Sequence, residues 1–238
     1  INLKNFSNFK KLEKIISKIK PTHIINRIGV TKFNNTYKNK KLTISLNTKM
    51  PIYLAKFCKL NKIYLLHIST DCVFSGKKGN YKEKDTADAE DIYGKSKFNG
   101  EVKSKFVINI RTSIIGNELT TSLSLLNWFL KQKKVNGFNQ AYFSGLTTLE
   151  LSNILIKKII LNNKFSSGLF HVSGPNISKL ILLKLIKKIY KRKTIINIDN
   201  NFKIDRSLNS SKFKKITKYK KKSWLVMIKN LRKFNENF

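Results

Sequence analysis

The chain has 238 residues, enough to bury a sizeable core as one large domain or two small ones. It lacks the run of about 18 apolar residues that a membrane-spanning helix needs. Its two cysteines are too few for a disulfide framework or a zinc site. We therefore expect a reduced, cytoplasmic protein with no membrane partner and no bound metal.

The net charge of +36 has two interpretations. Clustered lysines neutralise nucleic-acid phosphates and release counterions. Here, however, lysines are spread along the whole chain and accompany many Asn, Ile and Phe residues, as an A+T-rich coding sequence produces. Arginine, the preferred base-reading side chain, is much rarer than lysine. We expect nucleic acid to bind only nonspecifically, through charge, and anionic ligands in general to be attracted.

The first predicted elements alternate between helix and strand. Apolar residues between positions 6 and 19 share one helical face, and Pro21 ends that helix. A short apolar strand over residues 22–26 follows. Residues 44–60 show the next helical pattern, which Pro51 is expected to kink or delay.

The central stretch begins with a buried strand, Tyr64–Ile68, that ends in the polar residues Ser69 and Thr70. A glycine-containing loop leads to a helix that carries Tyr93 and Lys97, which lie four residues apart on one face. In open α/β sheets ligands bind beyond the carboxyl ends of the strands. The hydroxyl, the phenol and the ammonium are therefore expected to converge.

This trio has a specific chemistry. A free phenol has a pKa of about 10 and exchanges protons poorly at neutral pH. A nearby ammonium is expected to lower that pKa, and a threonine hydroxyl can orient a substrate carbonyl that is being protonated. The alternative is an ordinary surface pair, since a tyrosine and a lysine at this spacing are common on helices.

Further elements are predicted towards the C-terminus. In chain order they are a strand over 106–112, a helix over 121–133, a helix over 149–161, a strand over 168–173, a helix over 177–190, a short strand over 195–198 and a helix over 224–234.

Three segments together resemble one protein family. HISTDCVFSG, a loop with Tyr81 and Glu83, and YGKSKFNGE resemble the extended short-chain dehydrogenase/reductases, and within them the dTDP-4-dehydrorhamnose reductase family. The resemblance implies an α/β fold: a Rossmann-like parallel sheet with helices on both faces over residues 1–112, and a smaller C-terminal α/β substrate-binding part over 113–238.

The resemblance also implies roles for individual residues. The catalytic residues would be Thr70, Tyr93 and Lys97. NADPH or NADH would contact Asn26, Gly29, Ser69, Tyr93 and Lys97. The nucleotide sugar would contact Asp71, Cys72 and Arg111. From the residues alone, Asn26 is equally a turn residue and Arg111 equally half of a structural ion pair.

The implied activity is transfer of a hydride from NADPH or NADH to the 4-keto carbon of a nucleotide-linked deoxysugar. The product would serve surface polysaccharide synthesis, and the enzyme could be a homodimer. The family's glycine-rich dinucleotide turn is not found in these 238 residues. We therefore expect a fragment of a longer protein or a truncated relative, and a non-catalytic scaffold or regulatory subunit is the alternative function.

Overall fold

The computed structural model describes residues 9–31, 39–118, 123–162, 165 and 167–236. The chain divides into two compact units. The first comprises Ile1–Val73, Ala87–Arg111 and Ser166–Phe170, and the second Phe74–Thr86, Thr112–Phe165 and His171–Phe238. The second unit contains more residues than the first, whereas the sequence predicts a smaller C-terminal part.

The elements follow each other along the chain as helix α1 (Phe9–Ile19), strand β1 (His23–Asn26), helix α2 (Lys40–Ile44), a π-helical turn (Ser45–Lys49), α3 (Met50–Leu60), β2 (Tyr64–Ile68), a 3₁₀ turn (Asp71–Val73), α4 (Ile92–Phe98), β3 (Val107–Arg111), β4 (Ile114–Ile115), α5 (Leu125–Leu130), β5 (Lys134–Phe143), β6 (Leu146–Thr147), α6 (Thr148–Ile154), a second π-helical turn (Leu155–Ile160), β7 (Gly168–His171), β8 (Ile177–Ser178), α7 (Lys179–Ile189), β9 (Ile195–Asp205), α8 (Ser211–Thr217) and α9 (Trp224–Glu236).

A four-stranded sheet in the order β1-β2-β3-β7 organises the first unit. Strand β2 runs parallel to both β1 and β3. Parallel strands are covered on both faces, which explains why they read as continuous apolar runs in the sequence. Because β1, β2 and β3 point the same way, their carboxyl ends lie at one edge, where the polar residues of the central stretch follow.

An apolar core joins the helices to one face of this sheet. Its most buried members come from α3 and from β2 and β3: Met50, Ala55, Cys58, Leu65 and Val107. Each buried aliphatic side chain of this kind stabilises the fold by roughly 1.5–3 kcal/mol. The amphipathic pattern of α1 contributes Ile16 to the same core, while Ile19 is exposed.

The helix predicted over residues 44–60 begins at Lys40, and its irregularity lies one turn before the proline. Residues Ser45–Lys49 form a wide π-helical turn, and Pro51 occupies the first turn of α3. Helical residues run without a break from Lys40 to Leu60, so the proline lies inside the helix, where it lacks the N–H of a helical hydrogen bond. The π-helical turn is the irregularity next to it.

The second unit contains a small parallel pair of strands, β4 and β6, and a three-stranded sheet in the order β8-β5-β9. Three sequence predictions need correction here. Strand β5 was not predicted, β9 extends to Asp205 instead of ending at residue 198, and the predicted helix over 121–133 is limited to Leu125–Leu130 where it is described. Residues 121 and 122 lie outside the described ranges.

The sequence does not predict the full extent of β5 and β9 because these two strands stabilise each other. Asn136, Asn139 and Gln140 interrupt the apolar residues of β5, and most of β9 is exposed, so neither sequence shows a clean alternation of apolar and polar residues. Their parallel pairing runs almost the full length of β5, and such long-range pairing is not encoded in either segment alone. Within the described ranges, no helix is long and apolar enough to cross a membrane.

Candidate active site

The candidate site lies in the first unit, where β2 ends. Thr70 follows the strand and is buried. Its Oγ1 accepts a hydrogen bond from the backbone N–H of Cys72 at 3.1 Å and lies 3.1 Å from Oδ1 of Asp71, to which it donates. These two contacts hold the Thr70 hydroxyl and the 3₁₀ turn over Asp71–Val73 in one arrangement.

The helix that carries the phenol is short and firmly capped. The side chain of Asp91 accepts a hydrogen bond from the backbone N–H of Gly94 at 2.9 Å, which satisfies one of the open donors of the first turn. The phenol of Tyr93 shares a hydrogen bond with the side chain of Thr70. The structure therefore joins two of the three predicted catalytic residues directly.

Gly94 allows the helix to lie against the 3₁₀ turn. A Cβ atom at this position would collide with the backbone carbonyl oxygen of Cys72 and with the side chain of Ala89. Because a backbone carbonyl cannot move aside cheaply, only glycine permits this close approach.

Gly94→Ala is therefore expected to destabilise the protein by about 1–3 kcal/mol, the usual cost of overpacking. Chemical denaturation measures this effect. Lys95→Ala is the control, because Lys95 is an exposed residue of the same helix and surface substitutions usually change stability by less than about 0.5 kcal/mol. Equal stability of the two variants would contradict the assigned contact.

Lys97 is the second predicted catalytic residue of α4 and is only 5% exposed. Its Nζ donates to the carbonyl oxygen of Ile68 at 2.6 Å, so the ammonium is held at the end of the strand that leads to Thr70. Burial lowers the pKa of Lys97 to about 8, while the charge of Glu101 acts in the opposite direction. The group remains mostly protonated at neutral pH.

Tyr93 differs from the expectation drawn from the sequence. Burial raises its pKa above the ordinary value, Cys72 adds to that effect, and the side-chain hydrogen bond shared with Thr70 opposes it. The predicted lowering by Lys97 is not found in this structure. The phenol is therefore protonated throughout the neutral range, which is the form that a proton donor requires.

Asn26 and His67 are buried polar residues that lie side by side on β1 and β2. Nδ2 of Asn26 lies 3.2 Å from Nδ1 of His67, while Oδ1 of Asn26 accepts from the backbone N–H of Ile28 at 3.1 Å. The Asn26 amide is thus engaged within the protein, as its interpretation as a turn residue predicts. Burial, and then the charge of Lys97, holds the pKa of His67 well below its ordinary value, so His67 is neutral.

Gly29 lies close to Lys97 and is exposed. A Cβ atom there would approach Oδ1 of Asn47 to 2.8 Å and Nζ of Lys97 to 3.9 Å. The backbone at Gly29 is therefore open to a bound molecule beside the ammonium. Asn26 is buried behind it.

Asn47 links the loop after β1 to the catalytic helix. Within the π-helical turn, its Oδ1 accepts from the backbone N–H of Val30 at 2.9 Å. Its Nδ2 donates to the carbonyl oxygen of Val30 and to Oγ of Ser96 at 3.0 Å. Through these contacts Asn47 holds the loop after β1 against helix α4.

Ser69 and Arg111, predicted to bind cofactor and substrate, meet at Glu101. Arg111 forms a bidentate ion pair with Glu101, with N···O distances of 2.9 and 2.7 Å. The hydroxyl of Ser69 donates to the same carboxylate at 2.6 Å. Arg111 thus takes the structural-pair alternative in this structure. Glu101 was part of the recognised YGKSKFNGE segment, but its position there did not reveal its partners.

Asp71 and Cys72, predicted to contact the sugar, lie on the 3₁₀ turn next to Thr70. Asp71 is buried, and Cys72 is partly exposed. Both residues are therefore adjacent to the Thr70–Tyr93 pair. Among the residues that the structure describes, no group of three or more His, Cys, Asp and Glu side chains is arranged to hold a metal ion.

Comparison with known proteins identifies relatives over most of the chain. Residues 2–224 match the family described as the RmlD substrate binding domain. A dTDP-4-dehydrorhamnose reductase of Aggregatibacter actinomycetemcomitans is 31% identical over 174 residues, which cover 67% of this chain and 58% of that protein. The chain thus spans less than two thirds of the length of this curated relative.

Solved structures share the fold. A hypothetical dTDP-4-dehydrorhamnose reductase from Sulfolobus tokodaii superposes with a TM-score of 0.78 at 28% identity, covering 92% of this chain and 83% of that one. A dTDP-4-dehydrorhamnose reductase from Bacillus anthracis, solved in complex with NADP, gives a TM-score of 0.83 at 20% identity, covering 99% and 89%. These similarities confirm the predicted Rossmann-like α/β fold.

Proposed function

Because this chain belongs to the RmlD substrate binding domain family, we propose that it reduces the ketone of a nucleotide-linked 4-keto-deoxysugar, with NADPH or NADH as the reductant. One observation carries the proposal. The Tyr93 phenol is hydrogen-bonded to Thr70 at the end of β2, and the buried Lys97 ammonium is bound one turn further along the same helix.

Tyr93 is the proton donor in this proposal. Reduction of a ketone places negative charge on the carbonyl oxygen, and a donor must be protonated before that charge develops. The raised pKa of Tyr93 keeps its hydroxyl protonated at neutral pH. Thr70, which already shares a hydrogen bond with the phenol, would orient the same oxygen.

Lys97 supplies positive charge behind the phenol. With a pKa of about 8 it is mainly an ammonium at neutral pH. A buried cation stabilises the negative charge that develops on Tyr93 as the proton leaves. Its hydrogen bond to the carbonyl oxygen of Ile68 fixes its position, so this stabilisation requires little reorganisation.

The residues described fit the nicotinamide–ribose end of a dinucleotide. Gly29 leaves exposed backbone next to Nζ of Lys97, and an ammonium is a suitable donor to ribose hydroxyls. Lys97 would hold the ribose, with Gly29 lying alongside. When bound, the reduced nicotinamide would supply the hydride.

The wider setting is also part of the proposal and rests on the relatives. The substrate would be a dTDP-linked or similar 4-keto sugar, the reaction would take place in the cytoplasm, and the product would enter surface polysaccharide synthesis. A homodimer is compatible with it. One relative is a trifunctional Arabidopsis thaliana enzyme whose name includes UDP-4-keto-L-rhamnose-reductase. The substrates in the names of the relatives indicate the class of sugar to be tested.

The test is an absorbance assay of NADPH and NADH oxidation by the full-length protein. Oxidation is expected to depend on an added nucleotide 4-keto-deoxysugar and to be absent with the corresponding 4-hydroxy sugar. The second sugar is the control for substrate-independent oxidation. If a folded protein gives no ketosugar-dependent oxidation with either cofactor, the proposed function is wrong.

A further inference from the structure

Glu101 is a buried acceptor at the end of the catalytic helix that the proposed chemistry has not used. It lies three residues after the end of α4, and its backbone N–H donates to the carbonyl oxygen of Phe98 at 3.0 Å. Its carboxylate receives three hydrogen bonds, one from Ser69 and two from Arg111. Both oxygen atoms of the Glu101 carboxylate therefore accept hydrogen bonds from these two side chains.

Burial makes this arrangement costly to break. The side chains of Arg111 and Glu101 are only 3% and 6% exposed. Removing one partner of such a pair leaves an uncompensated buried charge, whereas replacing both partners with apolar residues is often tolerated. A bidentate pair also fixes orientation, because the planar guanidinium matches the carboxylate.

The pair connects three elements that carry or precede the site. Ser69 is the residue immediately before Thr70, and its backbone N–H also donates to the carbonyl oxygen of Ile110 at 2.7 Å. Arg111 is the last residue of β3, and its guanidinium lies 5.8 Å from the ring centroid of Phe98, the last residue of α4. The ends of β2, β3 and α4 therefore share one carboxylate.

We propose that Glu101 is a positioning residue: by holding Ser69 and Arg111, its carboxylate sets the position of Lys97 and Tyr93 relative to Thr70 and supplies negative charge behind the Lys97 ammonium. The part of this proposal that concerns turnover rests on the proposed reductase function. The part that concerns the Lys97 ammonium does not depend on turnover.

The electrostatic part is supported by the surroundings of Lys97. Its ionic neighbours are Glu101, which raises its pKa, and His67 on β2, whose own pKa is strongly lowered so that it carries no charge. Tyr93 on the same helix is neutral as well, because its pKa is raised. Glu101 is therefore the group that opposes the effect of burial on Lys97.

Two variants test the proposal. Glu101→Gln removes the charge and keeps the shape. The double variant Glu101→Met with Arg111→Met removes both buried charges and is expected to fold even if the single variant does not. Glu236→Gln is the matched control, because it makes the same chemical change in the Arg232–Glu236 pair, which is substantially exposed.

The first readout is independent of turnover. Unfolding free energies are measured against pH for each background with and without Lys97→Met, so that the difference reports the titration of Lys97. In the wild type that titration is expected near pH 8. In Glu101→Gln it is expected at lower pH, because the carboxylate charge is lost while the Arg111 cation stays, and in Glu236→Gln it is expected to be unchanged. An unchanged titration in Glu101→Gln overturns the proposal.

The second readout is ketosugar reduction. Loss of Glu101 is expected to lower kcat by about 10²-fold, the cost of a small misplacement of catalytic groups, with little change in KM for the ketosugar. Wild-type turnover in the folded double variant overturns the positioning role. If the wild type itself does not turn over while the Lys97 titration shifts as expected, the reductase function fails and the placement of Lys97 by Glu101 is supported.

Discussion

Replacing Tyr93 with phenylalanine is expected to lower ketosugar-dependent oxidation of NADPH or NADH by about 10²- to 10⁴-fold, the contribution typical of a positioned proton donor. The substitution removes one oxygen atom, the one that shares a hydrogen bond with Thr70. The measurement is kcat/KM in the full-length protein. Because the ring is retained, the fold is expected to persist, and circular dichroism checks this.

Tyr142→Phe is the matched control for this experiment. It deletes the same atom from a tyrosine of β5 that is 40% exposed, and its turnover is expected to equal that of the wild type. The assignment of Tyr93 as proton donor would be wrong if a folded Tyr93→Phe protein retained wild-type turnover. Reduced turnover in both variants would point to a general effect of tyrosine removal.

Replacing Lys97 with methionine is expected to change how stability depends on pH. Burial depresses the pKa of Lys97 from 10.5 to about 8 in the folded chain. Protons therefore bind more tightly to the unfolded state, and the stability of the wild type rises with pH across this window. The destabilisation caused by burying Lys97 is fully present below pH 8 and is relieved as the pH approaches the pKa of Lys97 in the unfolded chain.

The size of this effect follows from the shift. Between pH 8 and pH 10 the stability of the wild type relative to Lys97→Met is expected to increase by about 2 kcal/mol, after allowance for the protons still bound at either end. Chemical denaturation at several pH values measures it. Comparing two proteins of nearly equal charge cancels most of the general effect of the high net charge.

Lys95→Met is the control, since it removes an exposed lysine from the same helix. It should follow the pH dependence of the wild type. If Lys97→Met and Lys95→Met show the same dependence of unfolding free energy on pH, the lowered pKa of a buried Lys97 is refuted. Lys97→Met is also expected to reduce turnover strongly if Lys97 has its proposed role, because the variant lacks the ammonium that is held at the end of β2.

Local sequence patterns predicted the first unit well. The strand at Tyr64–Ile68 and the helix with Tyr93 and Lys97 were placed correctly because buried strands and helical spacing leave their periodicity in a few neighbouring residues. The polar residues after the strand pointed to a site at its carboxyl end for the same reason. Family resemblance then assigned roles that spacing alone left open.

The second unit was predicted less completely. Strands β5 and β9 depend on pairing between segments about 60 residues apart, and their Asn-containing sequences give weak local signals. Helix α8 is only seven residues long and was missed. Short helices in proteins are stabilised mainly by tertiary packing, which propensity does not report.

The chemical groups of the candidate site follow from local sequence, because a hydroxyl after a strand and a phenol and an ammonium on one helix are properties of neighbouring residues. The protonation states and partners of these groups follow from the tertiary structure. It showed that burial raises the pKa of Tyr93 and lowers that of Lys97, and that Arg111 is paired with Glu101. These outcomes depend on desolvation and on charges brought together from distant segments, and no local pattern encodes them.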